Sequence, residues 1–194
     1  MMSSLFLSNL AQHIALFQSL GGLSASIEAA GEQVVRSLSG DGKLLLCGNG
    51  GSAADCQHIA AELTGRFIHD RRPLAAISLT TDTSALTCIA NDYSYDEVFS
   101  RQVNALARSG DCLIGISTSG NSANVIKAVE AAKKLGVTTI GLLGRDGGKL
   151  ASLCDYTIIV PSNITARIQE AHILIGHTLC GQIEQSLGLV PQEF

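Results

Sequence analysis

The sequence predicts an α/β protein: a three-layer, doubly wound parallel sheet preceded by a helical hairpin. Two patterns carry this reading. Five short apolar runs, at 43–47, 75–79, 111–117, 138–143 and 156–160, have strand length. Between them lie segments long enough for helices, at 52–67, 83–91, 95–107, 122–135 and 148–153, and a long one at 166–187 closes the chain. Strands that alternate with helices in this way make a parallel sheet with helices on both faces.

Ahead of the first strand, Leu7, Leu10, Ile14 and Phe17, then Leu23, Ile27, Ala30, Val34 and Leu38, recur at helical spacing, and Gly21–Gly22 breaks the run into two helices. These helices are apolar on more than one face. Residues 1–42 are therefore expected to form a hairpin that packs against another subunit as well as its own core, and residues 43–194 the sheet domain, the two making a single structural unit.

Bulk composition narrows the function. A chain of 194 residues with 46% hydrophobic content can bury one good core. A formal net charge of −4 and the lack of a Lys/Arg cluster argue against a nucleic-acid or anionic-membrane surface. The six cysteines are scattered among apolar neighbours without a CxxC pair and read as reduced core residues. With no basic leader and no run of about 18 apolar residues, the expected location is the cytoplasm.

The ligand crevice of a parallel sheet lies at the carboxyl ends of its strands. The first run ends in Cys47–Gly48–Asn49–Gly50–Gly51–Ser52 and the third in Ser117–Thr118–Ser119–Gly120–Asn121–Ser122, and each opens a helix. Small residues, backbone N–H groups and a positive helix terminus suit an anion. In the second turn the hydroxyls of Ser117, Thr118, Ser119 and Ser122 are placed to hold a phosphate by hydrogen bonds without a lysine. A plain N-cap needs only one such oxygen. Position 53 is Ala and no Gly-Lys-Ser/Thr follows, so neither nucleotide fingerprint is met.

His58 and Glu62 stand four apart and share one face of the next helix. If that face meets a carbohydrate, Glu62 is the candidate general base and His177, on the final helix, the candidate acid. The same spacing suits two ligands of one divalent ion, and zinc accepts mixed nitrogen and oxygen donors. Gln169 and His177 are eight residues apart, so to share an ion they must lean together or come from different subunits. His13, His69 and His172 read as structural. Asp82 reads as a helix cap, whereas Asn91 and Asp92 have no evident capping duty and are candidates to bind sugar hydroxyls.

The stretches CGNGGSAAD from Cys47, HIAAELTGRF from His58, IANDY from Ile89, GISTSGNSANV from Gly115 and RIQEAHILIGH from Arg167 together resemble the sugar isomerase (SIS) domain family, of the phosphoheptose isomerase type, over nearly the whole chain. The resemblance implies a flavodoxin-like SIS fold. It implies an aldose–ketose isomerase converting D-sedoheptulose 7-phosphate to D-glycero-D-manno-heptose 7-phosphate, the first step of ADP-heptose biosynthesis for the lipopolysaccharide core. It also implies a homotetramer with active sites at subunit interfaces. Asn49, Gly50, Gly51, Glu62, Asn91, Asp92 and Gln169 would contact substrate, and Ser117, Thr118, Ser119 and Ser122 its phosphate. Glu62 would be the base and His177 the acid, and His58, Glu62, Gln169 and His177 would hold one Zn2+ per subunit. Ala166 departs from the pattern, standing where some members carry an acidic residue.

The alternative is a non-catalytic SIS adaptor that binds the bacterial replication initiator. Such a protein has no chemical reason to keep Glu62 and His177 beside a complete phosphate loop. A transcriptional sensor would need a basic recognition helix, which residues 1–42 do not supply.

Overall fold

The structure, a computed structural model, describes residues 4–190. Helices α1 (Leu5–Ser19) and α2 (Ser24–Ser39) are joined by one 3-10 turn, Leu20–Leu23, at the expected glycine pair. Then follow β1 (Leu44–Gly48), α3 (Gly51–Thr64), β2 (Ala76–Ser78), α4 (Thr83–Asp92), α5 (Ser100–Leu106), β3 (Cys112–Ser117), α6 (Ala123–Lys134), β4 (Thr138–Gly144), α7 (Leu150–Leu153), β5 (Tyr156–Val160) and α8 (Thr165–Ser186).

All strand pairs are parallel, in the order β2-β1-β3-β4-β5. The chain reverses its direction of travel across the sheet between β1 and β3, and the ligand crevice of such a sheet lies at that switch point. The Asn49–Ser52 and Ser117–Ser122 turns leave from these two strands.

Alternation along the strands divides the core. Leu44, Leu46, Ile114, Ile116, Ile140 and Leu142 point to the face covered by α2, α3 and α8, where they meet Val34, Ile59, Leu63, Ile175 and Leu179. Leu45, Cys47, Leu113 and Leu143 point to the opposite face, against Phe99, Val103, Val125 and Val129 of α5 and α6 and the segment before them. Phe99 is 1% exposed. Burying such a ring fully is worth about 1.5–3 kcal/mol relative to leaving it in water.

Three expected helices are shorter than the sequence pattern suggested, each for a local reason. The 52–67 helix stops at Thr64, where Gly65 closes it by donating to the Ala61 carbonyl (2.8 Å). The 95–107 helix is a 3-10 turn, Tyr95–Glu97, followed by α5. The 148–153 helix starts only at Leu150 because Gly147 and Gly148 have positive φ, 81° and 51°. The cysteines divide too. Cys47, Cys56, Cys112 and Cys180 are buried as expected, but Cys88 is exposed and Cys154 half-buried, so these two are not full core residues. Burial pushes the Cys112 and Cys180 thiols up to about 12, which keeps them protonated. Among the described residues no helix is long and apolar enough to cross a membrane.

One buried group ties α8 to the sheet. The His172 ring is wholly buried and its Nε2 meets the Leu143 carbonyl at 2.9 Å, while its Nδ1 is enclosed with no hydrogen-bond partner among the described residues. Burial pushes this imidazole down from 6.5 to about 4, against the opposing pull of the Leu143 bond. Between those two pH values the unfolded chain binds a proton that the folded one does not, so this group's contribution is complete above about 6.5 and is lost as pH falls towards 4. Urea unfolding of wild type should lose up to about 1.4 kcal/mol per pH unit more than His172→Gln across that window. Equal slopes for the two proteins would exclude His172 as the titrating group.

Candidate active site

The first glycine turn is held open by its backbone. Gly50, the residue before α3, has φ 58° and ψ −121°, a conformation that L side chains rarely adopt. A Cβ on Gly51 would collide with the side-chain amide of Gln169, so the start of α3 and the start of α8 meet here with no room for a larger residue. Asn49 makes a reciprocal amide pair with Asn124 of α6, both bonds 2.8 Å, and its Oδ1 also accepts from the Tyr95 hydroxyl at 3.3 Å. Asn124 is buried. It therefore locks the β1 turn to the helix that follows the β3 turn.

In the serine loop, the hydroxyls of Ser117 and Ser122 lie 2.9 Å apart. Ser122 occupies the N-cap position of α6, but its side chain caps no helix N–H. The cap reading therefore fails for Ser122, whereas Asp82 does cap α4 through Ala85 N at 2.9 Å. Thr118 is half-buried, and the Ser119 hydroxyl accepts from the backbone N–H of Asn121 at 3.2 Å. Gly120, at φ 66°, leaves no space for a Cβ because the Gly147 carbonyl packs against it, and the Leu150 and Lys149 N–H groups bond to Gly120 O and Asn121 Oδ1 at 3.0 and 3.1 Å. The result is a closely packed loop of hydroxyls at the head of a helix, a chemistry that suits an anion.

The acid–base candidates converge on α3 and α8. His58 Nε2 lies 3.1 Å from Glu62 Oε1 and 3.0 Å from His177 Nε2. One ligand atom from each of the three lies within 4.8 Å of the others. Gly176 makes this approach possible, since Ile59 of α3 fills the space a Cβ would need. Along α3, His58 stands about two helical turns, ~10 Å, from the Gly51 turn and Glu62 about three turns, ~16 Å.

A family model described as "SIS domain" matches residues 10–144. The phosphoheptose isomerase of Aliarcobacter butzleri is 56% identical over 187 residues, covering 96% of this chain and 99% of that one. The solved phosphoheptose isomerase of Neisseria gonorrhoeae superposes with a TM-score of 0.88 at 52% identity, over 93% of this chain and 97% of that one. That of Francisella tularensis gives 0.92 at 38% identity, over 95% and 100%. The chain belongs to the phosphoheptose isomerase family. By that membership it is an enzyme, an aldose–ketose isomerase, built on the SIS fold.

Other residues named from the sequence fall in two places. Gln169 lies at the head of the α3/α8 groove, against Gly51. Asn91 and Asp92 form the exposed last turn of α4, where Asn91 Nδ2 donates to Asp92 Oδ1 at 2.8 Å and the Cys88 thiol to Asp92 Oδ2 at 3.5 Å. His13 pairs with Glu170 at 2.8 Å, a structural role as expected, and His69 is exposed.

Several residues that shape this phosphoheptose isomerase family site carry no sequence signal. Arg71 and Glu184 form an ion pair of 2.7 Å, with side chains 1% and 2% exposed. The same guanidinium donates to the carbonyls of Glu62 (2.6 Å), Leu63 (2.8 Å) and Gly65 (2.8 Å), closing the end of α3. Glu184 also accepts from Phe67 N at 3.3 Å, and the Phe67 ring stacks on His177 with centroids 5.4 Å apart. In the sequence Arg71 is half of a basic pair with Arg72 and nothing points to its partner; only the tertiary structure brings it across 113 positions to Glu184.

Replacing Glu184 by Gln should leave a buried guanidinium uncompensated, at a cost of about 3–5 kcal/mol. Arg71→Met with Glu184→Leu should recover part of that loss. Chemical denaturation of the two proteins measures both. A single variant as stable as wild type would show that the pair contributes nothing.

Proposed function

We propose that the enzyme converts D-sedoheptulose 7-phosphate to D-glycero-D-manno-heptose 7-phosphate, the first step of ADP-heptose synthesis for the lipopolysaccharide core. It acts in the cytoplasm as a homotetramer with active sites at subunit interfaces. The observation that carries this reading is the meeting of Glu62 and His177 at one nitrogen of His58, in a chain that also carries the hydroxyl-lined cradle. The tetramer is supported by the exposed apolar side chains of α1, with Leu5, Phe6 and Leu7 at 77%, 69% and 56%.

In this mechanism Ser117, Thr118, Ser119 and Ser122 anchor the phosphate, and Asn49, Gly50, Gly51, Asn91, Asp92 and Gln169 align the open-chain sugar. Glu62 takes the proton from C1 of the ketose as His177 protonates O2, giving an enediol. Glu62 then returns its proton to C2 while His177 takes the proton from O1, leaving the aldose. Each group ends as it began. His58, Glu62 and His177 are a mixed donor set of the kind zinc accepts; Gln169, the fourth ligand by family resemblance, packs against Gly51 at the other end of the groove in this chain and would have to reach the ion from a neighbouring subunit. Zinc, when bound, would polarise the carbonyl oxygen and lower the cost of developing negative charge. A non-catalytic adaptor would need the fold but not this cluster.

Purified protein incubated with D-sedoheptulose 7-phosphate, with and without a chelator, should form the aldose, and no aldose in either arm would refute the substrate assignment. Glu62→Gln should fold normally and turn over at least about 10²-fold more slowly. In heavy water the product should carry solvent deuterium at C2; full turnover without incorporation would point to a hydride shift and remove Glu62 from the role of base.

A further inference from the structure

On α3, Gly51, Asp55, His58 and Glu62 follow one another at spacings of four, three and four, which places them on one face of the helix. Three of them meet α8: Gly51 at Gln169, and His58 and Glu62 at His177. Asp55 is the one without an assigned duty. It is half-buried, and its Oδ2 is enclosed with no hydrogen-bond partner among the described residues. Leaving a buried carboxylate oxygen without a donor is costly, and burial accordingly pushes this carboxyl up while nearby His58 pulls it the other way.

His58, whose side chain is 46% exposed, has a ring nitrogen to spare. Its Nε2 faces both Glu62 and the Nε2 of His177, leaving Nδ1 with no partner among the described residues. Two imidazole nitrogens 3.0 Å apart need one donor and one acceptor. A carboxylate that accepts from Nδ1–H settles which, because it leaves the Nε2 lone pair of His58 facing the cluster. Asp55 is one turn away on the same face, and helical side chains lean towards the N-terminus, which carries the His58 ring back over it.

We infer that Asp55 is the positioning residue of the site: a small rotation of its side chain brings the unpaired oxygen onto the Nδ1–H of His58 and so presents the His58 Nε2 lone pair to Glu62, His177 and any cation they share. This rests on the reading of the cluster given above, but its test does not need catalysis. Metal-ligating histidines are commonly held in this way by a carboxylate, and losing it weakens the ion 10- to 100-fold.

Long-range proton–nitrogen spectra of metal-free protein carrying 15N-labelled histidine read the His58 tautomer directly. Wild type should carry the proton on Nδ1, and Asp55→Ala should shift it to Nε2. Asp55→Asn, which keeps the volume and a neutral acceptor, should fall between them and serves if the Ala variant does not fold. Zinc affinity, measured by competition with a chromophoric chelator, should fall about 10- to 100-fold in Asp55→Ala and less in Asp55→Asn. A wild-type His58 protonated on Nε2, or a pattern unchanged by both substitutions, overturns the inference. Wild type that takes up no zinc would sink the metal assignment alone, and the nitrogen spectra would still decide the role of Asp55.

Discussion

The geometry of the site depends on the buried contact between Arg71 and Glu184. A guanidinium presents five N–H donors in a fixed fork, and here they serve the carboxylate and the terminal carbonyls of α3 together. One side chain thus ends α3, fixes the segment leading to Phe67, and holds α3 at a set distance from α8. Glu62 and His177 sit on these two helices. Any slack between the helices would open the 3.0 and 3.1 Å contacts through which both groups meet His58. Charge pairs removed from water are poor sources of net stability, and this one is better understood as fixing a register.

Two glycines let the helices approach so closely. Gly51 meets Gln169 at the upper end of the groove, and Gly176 receives Ile59 lower down. The reciprocal Asn49–Asn124 pair then relates the head of α3 to the head of α6, and with it the serine loop. A continuous series of short contacts therefore runs from the Arg71 clamp, through α3, to the serine loop. Preorganised dipoles and donors act on a developing charge without reorganisation at the moment of reaction. A cradle of hydroxyls and backbone amides depends on that rigidity more than a lysine-based one, because each neutral donor contributes only if it is already aimed.

What could be read from the sequence was local. The strand runs, the two turns after β1 and β3 and the His58–Glu62 face all follow from residue spacing, and the sheet order 2-1-3-4-5 is the one the flavodoxin-like expectation carries. Helix ends were less legible because they are decided by partners far away. Gly65 beside Thr64 is a local stop signal, but nothing there announces that Arg71 will take the carbonyls of Glu62, Leu63 and Gly65, and nothing in residues 95–107 marks the 3-10 turn that brings the Tyr95 hydroxyl to Asn49. Asn124 was hidden inside a motif already assigned to phosphate binding. Cys88 looked apolar by its neighbours but lies on the outward side of α4 beside Asp92.

The proposed mechanism places a base, an acid and a cation site in one cluster, which raises the question of how Glu62 could serve two roles. A carboxylate has two oxygens, and Oε1 lies 3.1 Å from the His58 ring nitrogen. One oxygen can face a cation while the other accepts a proton, provided the carboxylate does not rotate. Its 23% exposure leaves Glu62 reachable by substrate, while the hold of Arg71 on the Glu62 carbonyl fixes the backbone beneath it. His177 is constrained in a different manner, with Phe67 stacked on one side and His58 at its Nε2. The clamp at the foot of the two helices thus does for Glu62 and His177 what the Asn49–Asn124 pair does for the serine loop: it removes the freedom to point elsewhere.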